Sequence, residues 1–313
     1  MIDKVFGTGG IGTGIVFQLE NDETLGRNES RFAFLTDYRD YCKAHIILHY
    51  VSRLTNVPVY AIGKVGDDTR GESLLQEMRA AGIRVDFVEK TANIPTMFSI
   101  CFQYPNGEGG NITSSNSACN HVHAAYIEAC TEKIDKNSLV LAAPEIPLSA
   151  RIRLLELGKS KGATTVSSFL SSEAADFKKA GGLCQTDILS INLEEAQALS
   201  GSDEITTIMQ NVSQTNSQCK VIVTAGNEGL FASENGKVEH FPCFPAQVMS
   251  TAGAGDAVIG GTIAGIVSGK NFLQSVQYGL AAAKFAVESA HSIAESVTIK
   301  SINHYLESTL SLG

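Results

Sequence analysis

The sequence predicts an α/β protein: a mostly parallel central sheet covered by helices on both faces, with a small separate sheet beside it. Three observations carry that expectation. From residue 138 onward, apolar runs alternate with helical stretches, the pattern of parallel strands joined by crossover helices. Two irregular strand-like stretches, near 13–35 and 94–118, do not fit such a sheet and mark the smaller one. The 313 residues, 43% hydrophobic and 18% charged, suffice for one large α/β core and exclude a disordered chain.

In chain order, Val5-Phe6 reads as a short strand running into glycines, and residues 20–40 are polar and arginine-dotted, a poor match to any buried element. Residues 40–54 turn helical, with Ile47, Tyr50, Val51 and Leu54 on one face. Val57–Val65 is a buried strand, followed by the turn Gly66-Asp67-Asp68 and a helix through Leu74, Leu75 and Met78 that stops at Gly82. Thr96–Tyr104 is a strand before the turn cluster Pro105–Gly110. Leu139–Ala143, Thr164–Val166, Ile188–Ile191 and Val221–Val223 are the strands of the regular region, with helices near 149–160, 193–200 and 203–215. Leu230–Ser233 and Lys237–Phe241 flank Asn235-Gly236, a hairpin signature. Small-residue helices at 254–268 and 272–287 and a short helix after Ser301 close the chain. With no internal repeat or low-complexity linker, one main domain over residues 1–313 is expected, its small sheet built from about 13–38 and 93–118.

A formal charge of −9 argues against a nucleic-acid or anionic-membrane binder. The most apolar stretch, Ala257–Val267, is about half of the ~20 residues a spanning helix needs. Met1-Ile2-Asp3-Lys4 leads into a strand rather than a signal peptide. Seven scattered cysteines without a C-x-x-C argue against structural zinc and disulfides, so a cytoplasmic location is expected.

The strongest local signal is Ser250-Thr251-Ala252-Gly253-Ala254-Gly255-Asp256, which opens a helix. Glycines at a helix start let backbone N–H groups converge on an anion, helped by the helix dipole. Asp256 at the edge of such a nest suits a base that takes a proton from a hydroxyl attacking a phosphate. On spacing alone it is equally a first-turn aspartate beside flexible glycines. Asn192-Leu193-Glu194-Glu195 opens another helix and is either a capping arrangement or a polar pair near hydrated magnesium. Thr224-Ala225-Gly226-Asn227-Glu228-Gly229 follows a strand, as an ordinary exit turn or the edge of a nucleotide site. All three lie after parallel strands, the side on which open α/β sheets bind ligands.

With these segments in place, the chain resembles the ribokinase-like (PfkB) carbohydrate kinase family. Residues 250–256 match its D-T-x-G-A-G-D, Asn192 and Glu195 its N-x-x-E, Thr224, Gly226 and Gly229 its T-x-G-x-x-G, and Gly63–Asp68 its G-x-V-G-D-D. The resemblance implies a three-layer ribokinase-like fold with a β-sheet lid, and transfer of the ATP γ-phosphoryl group to a hydroxyl of a sugar-like acceptor. It implies that Asp256 is the base and that Gly253, Ala254 and Gly255 stabilise the transferring phosphoryl. Asn192 and Glu195 would order Mg2+ and its waters, and Thr224, Gly226, Gly229 and Thr251 would line the ATP phosphates.

The acceptor side departs from the family. Gly12 stands where an Asp usually meets sugar hydroxyls, and the G-G-x-x-x-N stretch falls on Tyr41–Ile46 without a glycine pair or an asparagine. D-P-N is Ser167-Ser168-Phe169, and Ser250 replaces the leading Asp of the last motif, which weakens the case for a monovalent-cation site. Arg27, Arg31, Arg39 and Lys43 are candidates to clamp an anionic group on the acceptor. Asp37 and Asp40 are candidates for its hydroxyls. His45 and His49 have metal-ligand spacing but no third ligand, so packing or acceptor contact is expected of them. His121 and His123 are expected on a surface loop, and Phe98, Phe102 and Tyr104 in a core.

Two rival readings fit part of the sequence. Gly7–Gly12 fits G-x-G-x-x-G, but Leu19–Ser30 supplies neither the helix nor the second strand of a dinucleotide site. These glycines are read instead as room for the backbone to pass close to a bound acceptor. A non-catalytic ligand-binding or regulatory member of the same fold is the alternative function. An exposed lid edge would offer strand pairing for a homodimer.

Overall fold

The computed structural model describes residues 1–106 and 109–310. In chain order the elements are β1 (Lys4–Thr8), β2 (Gly12–Leu19), β3 (Ala33–Tyr41), α1 (Lys43–Leu54), β4 (Val59–Gly66), α2 (Thr69–Ala80), β5 (Ile83–Thr91), β6 (Met97–Gln103), β7 (Gly109–Thr113), α3 (Ala124–Cys130), β8 (Ser138–Ala142) and α4 (Leu148–Ser160). Then follow β9 (Thr164–Ser167), α5 (Ala174–Lys179), β10 (Ile188–Asn192), α6 (Leu193–Ser200), α7 (Ile205–Thr215), β11 (Lys220–Thr224), β12 (Leu230–Glu234), β13 (Lys237–Phe241), α8 (Ala254–Val267), α9 (Phe272–Val287) and α10 (Ile299–Leu310).

Strand alternation sets the layers. Val5, Val59, Ala61 and Leu139 face one way and pack on α1, α2, α8 and α9. Their neighbours Phe6, Tyr60, Ile62 and Val140 face the other way onto α3 and α4, and Leu189, Ile191, Val221 and Val223 onto α4–α7. The nine-stranded order is β13-β12-β11-β10-β9-β8-β1-β4-β5, parallel from β11 to β5, with β12 antiparallel to both β11 and β13. From β1 the chain crosses to β4 on one side, and β8 lies on the other. The carboxyl ends of β1 and β8 therefore flank a topological switch point, where such sheets bind ligands.

The second sheet has order β3-β2-β6-β7, with β2 and β6 parallel. Its register puts Ile15, Ile100 and Ile112 on one face and Gly14, Ser99, Thr113 and Asp40 on the other. Residues 33–41 form β3, which starts inside the stretch expected to build the small sheet and runs three residues past its expected end at 38; Phe34 and Tyr38 are exposed while Asp37 is buried, so neither a buried face nor regular apolar alternation marks the strand. The edge strand β5 and helix α3 lie in segments given no element in the sequence reading. His123 stands at the N-cap position of α3 without a side-chain capping bond, and His121 ends a short 3-10 turn before it. Gly107 and Glu108 of the expected turn cluster lie outside the described residues.

α8 is buried almost all round, and its glycines explain how. A side chain on Gly260 would strike Tyr50 of α1, and one on Gly261 or Gly265 would strike α9. Two neighbours can therefore close on α8, which fixes its N-terminus beside that of α1. No helix among the described residues is long and apolar enough to cross a membrane.

Candidate active site

Gly253 caps α8 in the left-handed conformation, φ +76°, and a side chain there would collide with the Ser292 carbonyl. Both facts call for glycine. The backbone turns at this point so that Ala254, Gly255 and Asp256 form the first helical turn, with nothing within 4 Å of a Cβ at Gly255. Asp256 is buried, and burial raises its carboxyl above the usual range while the Lys43 charge opposes the rise. Lys43 Nζ lies 4.0 Å from Asp256 Oδ1. Lys43 begins α1, and its ammonium is held charged by Asp256, then by Glu145 and Glu195, against the cost of burial. One acid and one ammonium thus meet between two helix N-termini.

A cavity of about 770 Å³ opens beside them, lined by Lys43, Asn192, Glu195, Thr224, Gly226, Gly229, Thr251 and Gly253–Asp256, with Phe244, Val248 and Leu280 on its apolar side. The sequence-predicted nucleotide residues therefore converge on one concavity. Asn192 and Glu195 form a reciprocal capping box: Asn192 Oδ1 accepts from Glu195 N and Glu195 Oε2 from Asn192 N, each at 2.8 Å. The capping reading is thus realised, and the same two side chains face the cavity. Gly229, φ +95°, closes the turn against the Phe241 carbonyl, leaving no room for a side chain.

The acceptor candidates separate. Lys43 is at the site, and Gly12 lies on β2, where a Cβ would meet Cys42 Sγ at 2.7 Å and Met97 Cβ at 2.8 Å. Gly9 and Gly10 pack against Ala44, Ala143 and Glu145. These glycines make room for the protein's own atoms, a correction to their reading as room for an acceptor. Arg31 is held in the β2–β3 connection by Glu29, Asn21 Oδ1 and the Glu23 carbonyl, and Arg27 is exposed in the same connection. Neither lines the cavity. Asp37 is spent on His291 Nδ1 at 2.7 Å and on Arg39 N, and Arg39 pairs with Glu295. His45 is buried against Tyr41 and His49, and burial pushes its imidazole down to about 3, so it packs as a neutral ring.

Glu145 escaped the sequence reading. It follows β8 in the left-handed conformation, φ +75°, and its Oε2 accepts the Lys43 backbone N–H at 3.0 Å, capping α1 where Cys42 offers no side-chain cap. Burial pushes its carboxyl up to about 7, against the pull of Lys43. An acid just past a central parallel strand was the available signal.

A family model for pfkB family carbohydrate kinases matches residues 47–299. The chain belongs to that family. Membership makes it a phosphotransferase with an alcohol group as acceptor. The kinase is 26% identical to the ribokinase of Bacillus subtilis (strain 168) over 230 residues, 73% of this chain and 75% of the relative. It is 23% identical to that of Lactococcus lactis over 237 residues, 76% and 75% of the two chains. Its fold matches ribokinase from Giardia lamblia with TM-score 0.84 at 18% identity, covering 96% of this chain and 99% of that one. It also matches Arabidopsis thaliana ribokinase complexed with ribose and ATP, with TM-score 0.77 at 22% identity, over 98% and 99%. The ribokinase-like fold with its lid is thereby shown.

Proposed function

We propose that the kinase transfers the γ-phosphoryl group of ATP, with Mg2+, to a hydroxyl of a small sugar-like acceptor, Asp256 serving as base. The observation that carries this reading is Asp256 itself: a buried carboxylate of raised proton affinity in the first turn of a glycine-capped helix, at the edge of the cavity. It takes the acceptor's hydroxyl proton as that oxygen bonds to the γ-phosphorus and the bond to the β–γ bridging oxygen breaks, releasing ADP. The N–H groups of the 253–255 turn and the Lys43 ammonium face the charge that develops.

Among the described residues no three His, Cys, Asp or Glu gather as a direct metal-ligand set. The Asn192–Glu195 pair suits an ion that keeps its waters and rides on phosphates. When bound, Mg2+ supplies charge neutralisation of those phosphates. The whole chain acts as one catalytic domain, the second sheet covering the acceptor and excluding water so that ATP is not hydrolysed in its place. A cytoplasmic location suits seven free cysteines, five of them not exposed.

The test is an ATP-consumption screen over sugars, sugar phosphates, polyols and nucleosides, with Asp256→Asn as blank. Acceptor-dependent ADP release by the wild type alone is expected. No acceptor-dependent release by either protein, alongside saturable binding of a sugar, would favour the non-catalytic alternative.

A further inference from the structure

The single buried residue of β3 is a carboxylate, Asp37. Phe34, Leu35 and Tyr38 of the same strand are exposed, so polar contacts hold its middle against the body. Those contacts come from the loop between α9 and α10. Asp37 Oδ2 accepts from His291 Nδ1 at 2.7 Å, and its Oδ1 accepts from Arg39 N at 2.9 Å. The other ring nitrogen, Nε2, faces the Arg39 guanidinium, which also pairs with Glu295 at 2.9 Å. A guanidinium can only donate, so Nε2 accepts and the ring proton sits on Nδ1, where it bonds the carboxylate. One neutral imidazole thus joins two side chains of β3 to the body.

The same loop backs the turn that opens α8. The Val287 carbonyl accepts from Met249 N at 2.7 Å and from Ser250 N at 3.3 Å, and the Ser292 carbonyl fills the place of a Cβ on Gly253. α1 braces the loop: Tyr50 Oη accepts from Ala294 N at 3.0 Å, and Arg53 donates to the Glu295 carbonyl. Residues 287–295 are therefore tied both to the start of α8 and to the small sheet. His291, Asp37 and Arg39 do not line the cavity beside Asp256. They act through their neighbours.

We propose that His291 is a positioning residue that couples the small sheet to the nucleotide site. Phosphate held at the 253–255 turn steadies the 287–295 loop, and the bonds of His291 to Asp37 and Arg39 pass that order to β3, readying the sheet to close once ATP is bound. The coupling runs through contiguous bonded groups, so a ligand that favours one arrangement of the loop favours the arrangement of the sheet bonded to it. The inference rests on the reading of that turn as the seat of the ATP phosphates.

The experiment is amide hydrogen exchange on the whole chain, with and without Mg2+ and the β,γ-imido analogue of ATP, for wild type, His291→Met, His291→Gln and Arg39→Met. In the wild type the analogue should slow exchange at 250–256 and also across 33–41, the latter by at least about five-fold, the low end of coupling between linked sites. His291→Met and Arg39→Met should keep the slowing at 250–256, with the analogue's Kd within about three-fold of wild type, and lose it at 33–41. His291→Gln can donate and accept, so it should restore the effect that the equally long Met cannot. Should His291→Met not fold, Arg39→Met decides in its place, since it alters a side chain that is half exposed. Slowing at 33–41 that is absent from the wild type, survives in His291→Met, or is lost equally in His291→Gln overturns the inference and leaves the kinase reading intact. No slowing at 250–256 in the wild type removes the nucleotide reading of that turn, and this inference with it.

Discussion

Lys43 and Asp256 oppose each other's titration: the ammonium lowers the carboxyl, and the carboxylate raises the ammonium. A base must be ionised to act, so kcat/KM should fall on the acid side at a pH above that of an ordinary carboxylate. Lys43→Met removes the opposing charge and should move this acid limb to still higher pH. A limb that stays in place would show that another group governs it. His45 and His49 make a separate prediction. Burial depresses them to about 3 and about 4, so the unfolded chain binds more protons than the folded one below about 6.5. Stability should therefore fall as pH drops through that window, and His45→Phe should flatten the dependence of Tm on pH between about 6.5 and 4. Residues carried by contiguous motifs, Asp256 and Asn192 among them, were legible because helix starts announce themselves locally. Glu145 was not legible at the site, since its place there depends on contacts with Lys43 and Gly10, more than a hundred positions earlier in the chain.

The small sheet is joined to the body through β3. Asp37 accepts from His291 Nδ1, whose Nε2 faces an Arg39 N–H donor, and Arg39 also pairs with Glu295. The next residue, Ser292, carries the carbonyl that packs on Gly253. Gly253→Ala forces a left-handed alanine against that carbonyl, at a conformational cost of about 1–2 kcal/mol before the collision is counted. It should lower Tm and raise the ATP KM together; a raised KM with unchanged Tm would show that the turn relaxes freely. The parallel strands of the regular region were readable as apolar runs between turn residues. β3 was not, because Phe34 and Tyr38 are exposed, Asp37 and Asp40 stand opposite Val16 and Gly14, and two register shifts against β2 break its alternation.

Across the whole molecule, the switch point between β1 and β8 brings Gly10 and Glu145 together, and the parallel strands beyond it deliver Asn192 and Thr224 to the same end of the sheet. The small sheet and the residue before β3 leave Phe32, Phe34, Tyr38 and Ile112 exposed, with β3 and β7 as open edges. A homodimer through this sheet would cover them. Light scattering should then give twice the chain mass, and replacing Phe34 and Ile112 with lysine should return the monomer; a wild-type monomer at high micromolar concentration contradicts it. The fold class was accessible from periodicity alone, whereas the acceptor's chemistry was not, since arginines near in sequence proved to be spent on lid and loop carboxylates. The central claim is that the glycine-capped start of α8 receives the transferring phosphate beside Asp256. A crystal structure with Mg2+ and a non-hydrolysable ATP analogue tests it most directly. The terminal phosphate should lie within hydrogen-bond reach of the backbone N–H groups of 253–255. A terminal phosphate lodged elsewhere in the cavity, away from that turn and from Asp256, would contradict it.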